Sequence, residues 1–249
     1  MINIKLGVMT FQVTRRCNQI CDHCCKGPMQ NIDMTKEIID KLFNNSEYQI
    51  TEMTHFIITG GEPTLVPDVI EYLIDKIINK NILITKHVNI FTNGLIYSEQ
   101  FIDAIHKLIN YLRSKKECEN VSINFKISND QFHKNILDEV LEKYKKVDFV
   151  SEEWLKPFIL QKNQIQNDGN AKKNNLEGSL DTSYVPSANY ILKEQNTIQV
   201  RNGITISANG NICSEKNACA TFETEDESPY GNILKDSFLN IVEQFQSYN

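Results

Sequence analysis

The sequence predicts an α/β fold built around a parallel sheet. Through about residue 150, segments with strand character alternate with segments of helical periodicity, as in consecutive βαβ units. Polar and glycine-rich residues follow several predicted strands directly, and parallel α/β barrels place their functional groups at those strand ends. A chain of 249 residues is long enough for one barrel-like domain of this kind.

Three strand–helix pairs are predicted in the first part of the chain. The earliest strand is rich in β-branched and aromatic side chains, and Pro67 stands where a helix begins. The helix after Pro67 carries apolar residues with i, i+3, i+4, i+7 spacing, which predicts one buried face. The predicted strands are residues 8–14, 55–59 and 88–92, and the predicted helices span about 34–46, 67–78 and 98–113.

Two further pairs are predicted before residue 161. Residues 121–128 alternate strictly between apolar and polar side chains, which is typical of a strand with one buried face. Apolar spacing around 136–144 predicts a fourth helix. Residues 147–150 are predicted as a fifth strand, and residues 158–161 are the candidate for a sixth.

The pattern changes in the last third of the chain. Residues 161–189 are rich in Asn, Gln, Lys, Gly and Ser, which predicts a long loop. Asn209-Gly210 separates two short apolar segments and predicts a β-hairpin, and residues 236–245 predict an amphipathic helix. We therefore expect a core over residues 1–160, and a loop with a small C-terminal hairpin-and-helix extension over residues 161–249 that packs on it.

Composition excludes some classes of function. The formal net charge is −6 and no cluster of Lys and Arg stands out, so nucleic-acid binding is not expected. No apolar run approaches the roughly 18 residues of a membrane span, and the first residues lack the apolar core of a signal peptide. We expect a cytoplasmic protein without a membrane partner. Its seven cysteines are then metal ligands, catalytic groups or buried thiols rather than disulfides.

Three of these cysteines form a C-x3-C-x2-C motif after the first predicted strand. Thiolates are the usual ligands of iron–sulfur clusters, and Cys17, Cys21 and Cys24 lie close enough in sequence to bind three irons of one cubane. The fourth iron would then be open to a small molecule, much as catalytic zinc keeps an open position.

A zinc site is the alternative interpretation of the same motif. Its fourth ligand would be Cys25 or His23, or Cys213 and Cys219 would form a distant second pair. Structural zinc sites usually combine two close-spaced ligand pairs. Cys213 and Cys219 stand six residues apart, which is a poor second pair.

A second motif follows the second predicted strand, where ITGGEPTL places Gly60, Gly61, Glu62 and Pro63. Tandem glycine lets the backbone approach a ligand closely. A C-x3-C-x2-C loop after strand one followed by G-G-E-P after strand two resembles the radical S-adenosylmethionine (SAM) superfamily. The resemblance covers roughly residues 7–150, and it implies a partial (β/α)6 TIM-like barrel that is open on one side.

The resemblance implies both cofactors and a reaction. Cys17, Cys21 and Cys24 would hold a [4Fe–4S] cluster, and the amino and carboxylate groups of SAM would bind its open iron. A one-electron donor such as flavodoxin or ferredoxin would reduce the cluster. SAM would then be cleaved reductively to methionine and a 5′-deoxyadenosyl radical, which abstracts a hydrogen from the substrate.

The resemblance also assigns cofactor-binding residues. His23, just before the third cysteine, matches a position near the adenine of SAM. The G-E-P turn matches the residues that hold the methionine end of SAM. The polar positions after strands three and four match Asn93, Ser128 and Asp130, of which Ser128 and Asp130 are the better candidates for ribose or carboxylate.

The sequence departs from the family pattern at two places. Cys25 stands where many relatives place Tyr, and Gly169-Asn170-Ala171 stands where a G-R-A segment is common. We assign no SAM binding to the second segment, because its arginine is missing. His133 matches an S-x-D-x-F-H pattern of some relatives and is a candidate to orient SAM or contact substrate.

The C-terminal region indicates the substrate class. Residues 204–220 followed by YGNIL resemble the start of the C-terminal extension in peptide-modifying relatives, where cysteine-rich segments hold auxiliary clusters. Two cysteines, Cys213 and Cys219, cannot fully ligate a [4Fe–4S] cluster. We expect a ribosomally made peptide as the substrate, for crosslinking or epimerisation. The alternatives are a small metabolite or nucleotide, a glycyl-radical activase, and a non-enzymatic zinc- or cluster-binding module.

Overall fold

The computed structural model describes residues 1–176, 190–214, 221–227 and 229–247. Within these ranges the strands are β1 (Ile2–Gln12), β2 (Tyr48–Thr59), β3 (Leu83–Thr92), β4 (Ser122–Ile127), β5 (Tyr190–Glu194), β6 (Thr197–Ile206), β7 (Asn211–Ser214), β8 (Gly231–Asn232) and β9 (Gln246–Ser247). The α-helices are α1 (Lys36–Phe43), α2 (Pro67–Asn79), α3 (Glu99–Arg113), α4 (Asp138–Tyr144), α5 (Glu152–Leu155), α6 (Gly169–Lys173), α7 (Phe222–Glu227) and α8 (Phe238–Glu243).

All nine of these strands belong to one sheet, whose main path has the order β4-β3-β2-β1-β6-β5-β9. Neighbouring strands from β4 through β1 to β6 are parallel, whereas β5 runs antiparallel to β6. The path has two free ends, so the described sheet does not close on itself. The predicted α/β fold with an open, partial barrel is confirmed.

Helices α1 to α3 cover one face of the sheet, as their periodicity predicts. Thr35 and Ser98 cap α1 and α3 by accepting hydrogen bonds from backbone N–H groups three residues ahead. Pro67 occupies the first turn of α2, where a missing N–H costs nothing. The apolar face of α2 is buried at Val69, Ile70, Leu73, Ile74 and Ile77.

The first strands are longer than their sequence patterns indicate. β1 begins at Ile2 rather than residue 8, and β2 spans twelve residues rather than five. The added part of β2 includes the half-buried polar residues Thr51, Glu52 and Thr54. Because they lie on a face that is only partly covered, they carry no apolar signal that would predict a strand.

The predicted fifth strand at residues 147–150 is wrong, because this segment is a turn. Val147 and Val150 are buried, but their N–H groups bond to the carbonyls of Tyr144 and Val147, three residues earlier in the chain. The predicted sixth strand at 158–161 is reduced to one bridge between Asp130 and Phe158, and Ile159 is exposed. The apolar run at 147–150 therefore indicated burial without a strand, whereas the run at 158–161 is largely exposed and pairs at one residue only.

The C-terminal hairpin is confirmed, and it belongs to the same sheet as the N-terminal strands. β6 and β7 pair antiparallel around a turn in which Gly210 has φ of 86°. β6 also begins earlier than predicted and runs parallel to β1, with Asn3 opposite Thr197 and Phe11 opposite Ile206. The predicted C-terminal helix forms as the shorter α8, with Phe238, Ile241 and Val242 buried. The division into 1–160 and 161–249 stays a prediction.

The loop predicted at 161–189 contains one short α-helix, α6, within its described part. Residues 177–189 of that loop lie outside the described residues. Across the ranges that the structure covers, every helix is too short or too polar to cross a bilayer.

Replacing a core side chain of α2 should destabilise the fold. Ile74 is fully buried between the helices and the sheet, so Ile74→Ala is expected to lower the free energy of unfolding by about 2–5 kcal/mol. Ile159→Ala removes the same atoms from a side chain that is 72% exposed and should change it by less than about 0.5 kcal/mol. Urea denaturation followed by circular dichroism measures both; equal losses would contradict this account of the core.

Candidate active site

The carboxyl ends of four parallel strands meet at one edge of the sheet. Gln12 at the end of β1 pairs with Thr59, and Thr92 at the end of β3 pairs with Ile127. The segments that follow these strands therefore lie side by side. They are the loop of residues 13–33 that carries the cysteine motif (the cysteine loop), the G-G-E-P turn, Asn93, and the segment from Ser128 to Asp130.

The cysteine loop holds its three thiols in a partly desolvated position. Cys21 is buried, and Cys17 and Cys24 are half-buried. Burial raises the pKa of each thiol, and proximity to Cys24 and Cys17 adds to it, so that the pKa of Cys21 rises to about 12. A positively charged metal centre would stabilise these thiols as thiolates, because metal binding displaces their protons.

The three thiols of the motif do not themselves form a compact group of the kind that binds a single ion. Among the described residues, the group of three potential ligand atoms that lie within 4.8 Å of one another is Cys21, His23 and His133, without the other two cysteines of the motif. One tetrahedral zinc ion would bring its sulfur ligands to about 3.8 Å from each other. An iron–sulfur cubane binds each thiolate through a different iron and so accepts wider spacing.

Two amide side chains donate hydrogen bonds toward the sulfurs. Gln19 Nε2 lies 2.9 Å from Cys21 Sγ, and Asn93 Nδ2 lies 3.7 Å from Cys17 Sγ. N–H donors of this kind stabilise thiolates and influence the potential of a cluster that they hold. Sequence reasoning missed Gln19, although its place inside the motif was a signal.

The helix α6 contacts the cysteine loop through Gly169 and Asn170. Asn170 donates from its N–H to the Cys24 carbonyl at 2.8 Å, and from Nδ2 to the Cys21 carbonyl at 3.1 Å. Gly169 has φ of 53°, and a Cβ there would lie 2.3 Å from the Cys25 carbonyl. The Gly169-Asn170 segment, to which the sequence analysis assigned no SAM binding, therefore positions the loop.

The tandem glycines approach the cysteine loop itself. The N–H groups of Gly61 and Glu62 donate to the carbonyls of Thr14 and Arg16, each at 2.7 Å. A Cβ on Gly60 would lie 2.6 Å from the Thr14 carbonyl, and one on Gly61 would lie 2.0 Å from the Arg16 carbonyl. The close approach that the sequence analysis expected toward a ligand is therefore made, in this structure, toward the chain.

Glu62 is a buried carboxylate with four donors. It accepts hydrogen bonds from Thr64 N at 3.0 Å, Thr64 Oγ1 at 2.7 Å, Thr92 Oγ1 at 2.7 Å and Asn93 N at 2.7 Å. Burial raises the pKa of Glu62, and these donors oppose the rise. No Lys, Arg or His forms an ion pair with it in the part of the chain that the structure describes. Its neighbour Pro63 is buried and begins a short 3-10 turn.

Asp130 gathers two imidazoles at the end of β4. His133 Nδ1 lies 2.9 Å from Asp130 Oδ1, and His23 Nε2 lies 4.0 Å from Oδ2. Burial alone would raise the pKa of Asp130, but His133 and the Phe132 N–H outweigh it and hold this pKa below its usual range. The His23 ring stacks on Phe132 with centroids 4.7 Å apart, so a flat aromatic surface lies beside the cysteines.

The two remaining predicted residues, Asn93 and Ser128, differ in the hydrogen bonds that their side chains form. Asn93 uses its side chain to hold the cysteine loop, donating to Asn18 Oδ1 at 2.7 Å as well as toward Cys17. Ser128 is half-buried, and its N–H donates to the Thr92 carbonyl at 2.8 Å. Its hydroxyl forms no hydrogen bond with the described residues, so it can serve a ligand.

A buried ionic network lies beneath the cysteine loop, and sequence reasoning missed it. Arg15 is fully buried and contacts Ser207 at 2.7 Å, Glu225 at 3.3 Å and Asp226 at 2.8 Å. Lys26 pairs with the same Glu225. The network joins Arg15 and Lys26 of the cysteine loop to α7, which lies 210 and 199 residues further along the chain. Basic residues beside the motif and an acidic run at 223–227 were its only sequence signals.

Cys213 lies fully buried in β7 beside this network. Its Sγ contacts the Glu225 carbonyl at 3.7 Å, and burial raises the pKa of the thiol to about 12. Cys219 lies outside the described residues. An auxiliary cluster on these two cysteines therefore stays untested.

Comparison with known proteins gives one family. The family model described as Radical SAM superfamily matches residues 11–148, which is more than half of the chain. No curated protein matches the sequence.

Two solved structures illustrate the likeness in shape. A tagged form of "anSMEcpe with bound AdoMet" is 12% identical with a TM-score of 0.48, covering 96% of this chain and 77% of that one. "Crystal structure of Streptococcus suis SuiB bound to precursor peptide SuiA" is 11% identical with a TM-score of 0.44, covering 96% and 64%.

Removing the buried arginine should destabilise the protein strongly. Arg15→Met leaves Glu225 buried with fewer partners, so we expect a loss of about 3–5 kcal/mol in the free energy of unfolding. Arg113→Met makes the same change on the exposed end of α3 and should cost less than about 0.5 kcal/mol. Urea titration compares the two variants, and a small loss for Arg15→Met would show that the network contributes little.

Proposed function

The chain belongs to the radical SAM superfamily, and on that premise we propose that it is an enzyme that cleaves SAM reductively and abstracts a hydrogen from a substrate. Members of this superfamily use a [4Fe–4S] cluster and SAM. The observation that carries the proposal is the meeting of the three thiols of the cysteine loop with Glu62, a buried carboxylate without a cationic partner among the described residues.

The residues present suit the cluster. Cys17, Cys21 and Cys24 supply three thiolates, and Gln19 and Asn93 supply N–H donors to two of the sulfurs. Three ligands leave one iron of a [4Fe–4S] cluster open to SAM. The competing zinc site is less well supported, because His23 lies near Cys21 but the three thiols do not converge on one point.

The residues present also suit the methionine end of SAM. Glu62 is held rigidly by its donors and would accept the α-ammonium group, whose positive charge offsets the cost of the buried carboxylate. Gly60, Gly61 and Pro63 keep the turn close to the cysteine loop, which brings Glu62 near Cys17. Coulombic repulsion from Glu62 contributes to the raised pKa of that thiol, behind burial.

The other end of SAM would lie toward β4. We assign His23, stacked on Phe132, to the adenine, and Ser128 and Asp130 to the ribose or the carboxylate. Asn93 is assigned mainly to holding the cysteine loop, with a contact to SAM as its second role.

When bound, the cluster and SAM supply a 5′-deoxyadenosyl radical that takes a hydrogen atom from the substrate. The chain's own residues position this chemistry. Gln19, Glu62 and Asp130 are buried, so they would hold both groups in a fixed orientation and limit the access of water. The face of the sheet opposite helices α1 to α3, which we call the inner face, is open and leaves room for a substrate beside them.

We further propose a ribosomally made peptide as the substrate, modified by crosslinking or epimerisation. The support is the likeness of residues 204–220 and YGNIL to the extension of peptide-modifying relatives, and the open edge of the sheet. A small metabolite or nucleotide is the alternative. A flavodoxin- or ferredoxin-like donor and a cytoplasmic location complete the proposal.

Loss of one cluster ligand should abolish SAM cleavage. We expect anaerobically reconstituted protein to form 5′-deoxyadenosine from SAM with dithionite, and Cys21→Ala to form none because it cannot hold the cluster. Cys118→Ala, which changes a buried thiol far from the motif, should retain both iron and product. Chromatography of the products and iron analysis provide the readouts. Product from Cys21→Ala, or zinc without iron in the wild type, would refute the proposal.

Neutralising Glu62 should weaken SAM binding. Glu62→Gln removes the charge that faces the ammonium group, so the Kd for SAM is expected to rise at least about tenfold. Glu119→Gln, on an exposed position, should leave the Kd unchanged. Equilibrium dialysis of the reconstituted proteins measures the Kd, and melting curves confirm that the variants are folded. A folded Glu62→Gln protein with wild-type affinity would remove Glu62 from the SAM site.

A further inference from the structure

A half-buried lysine, Lys126, lies on the inner face of the sheet beside the candidate site. On β4, Phe125 packs on Phe101 and Tyr144 of the covering helices. Since successive side chains of a strand point to opposite faces, Lys126 projects from the inner face. It is half-buried there rather than fully hydrated.

Two aromatic rings frame Lys126. Its Nζ lies 5.3 Å from the centroid of Phe91, which is its partner across β3 and β4, and 5.3 Å from the centroid of Trp154 on α5. Aromatic faces attract an ammonium group without neutralising it. No carboxylate of the described residues lies within ion-pair distance of Lys126, although the chain has 32 acidic residues against 26 basic ones.

The position of Lys126 places it beside the proposed radical chemistry. Ser128, assigned to SAM, follows two residues later on the same face, about 6.6 Å along the strand. Phe91 and Thr92 lie together at the carboxyl end of β3, next to the G-G-E-P turn whose Glu62 accepts a hydrogen bond from Thr92 Oγ1 at 2.7 Å. A group bound at Lys126 would therefore lie next to SAM and not in its place.

We propose that Lys126, framed by Phe91 and Trp154, binds a carboxylate of the substrate. This inference rests on the proposed function and narrows it to peptides with an acidic residue close to the residue that reacts. A monovalent carboxylate matches a single lysine. Phosphate sites usually combine several cations or backbone N–H groups, whereas the nearest neighbours along this face are Asn89 and Asn124, which bond to each other at 3.1 Å.

Trp154 makes the inference directly measurable, because it is the only tryptophan of the chain. Its emission is to be followed in reconstituted holoenzyme with SAM, without oxygen, during titration with acetyl-Ala-Glu-Ala-amide. The matched probe is acetyl-Ala-Gln-Ala-amide, and inorganic phosphate is the third. We expect a saturable change with the Glu peptide, and at least about tenfold weaker binding of the Gln peptide and of phosphate.

Three variants define the role of Lys126. Lys126→Met should weaken binding of the Glu peptide at least about tenfold, and Lys126→Arg should largely retain it. Lys143→Met removes a lysine that lies 5.7 Å from the Tyr97 ring centroid elsewhere on the surface, and should bind as the wild type does. Circular dichroism checks that the folds are the same.

Equal binding of the Glu and Gln peptides, or unchanged binding by Lys126→Met, would overturn the inference. Tighter binding of phosphate would overturn the carboxylate assignment. Formation of 5′-deoxyadenosine is measured on the same samples. Protein that cleaves SAM but shows no Lys126-dependent binding refutes this inference alone, whereas Lys126-dependent binding without SAM cleavage supports the site and refutes the proposed function.

Discussion

Backbone contacts with neighbouring segments fix the shape of the cysteine loop, which connects β1 to α1. The loop contains no helix, and its only β-bridge joins Thr14 to Asp33. The G-G-E-P turn contacts the loop before Cys17, and α6 contacts it at Cys21 and Cys24. Each contact brings a glycine so close to a carbonyl that a Cβ would lie 2.0–2.6 Å away. The positions of the three thiols therefore depend on Gly60, Gly61 and Gly169.

Buried charged side chains lie on both sides of this loop. On one side they are paired with opposite charges, and on the other side a carboxylate has only hydrogen-bond donors. Arg15, Lys26, Glu225 and Asp226 neutralise one another, so their burial secures the C-terminal helix α7 against the loop. Glu62 has hydrogen-bond donors but no opposite charge among the described residues. A buried carboxylate in that state is costly, and a cationic ligand relieves the cost. The paired network therefore stabilises the fold, whereas the unpaired Glu62 carboxylate suits the binding of a cationic ligand.

The arrangement of the strands explains where the cysteine loop emerges and why one face stays accessible. Because β6 pairs with β1 on the side opposite β2, β1 lies inside the sheet and delivers the loop to the middle of its edge. No strand follows β4 in the region where a fifth and a sixth were predicted. The inner face near β3 and β4 therefore keeps Phe91, Asn124 and Lys126 partly accessible, which is the space that a substrate needs.

The sequence by itself determined the elements whose signals are local. The apolar spacing of α2 and α3, the Asn209-Gly210 hairpin and the two motifs all depend on residues a few positions apart. The sequence also predicted that the two motifs lie at one edge of the sheet, because the strands that precede them are parallel and therefore end on the same side.

The tertiary structure decided the contacts between distant segments. Arg15 meets Glu225 across 210 residues, Asn170 meets Cys21 across 149, and β6 joins β1. Residues 147–150 are as apolar as a strand but bury themselves in a turn. The physical reason is the same in each case: local periodicity reports that a side chain is buried, whereas the partner that buries it depends on the packing of the whole chain.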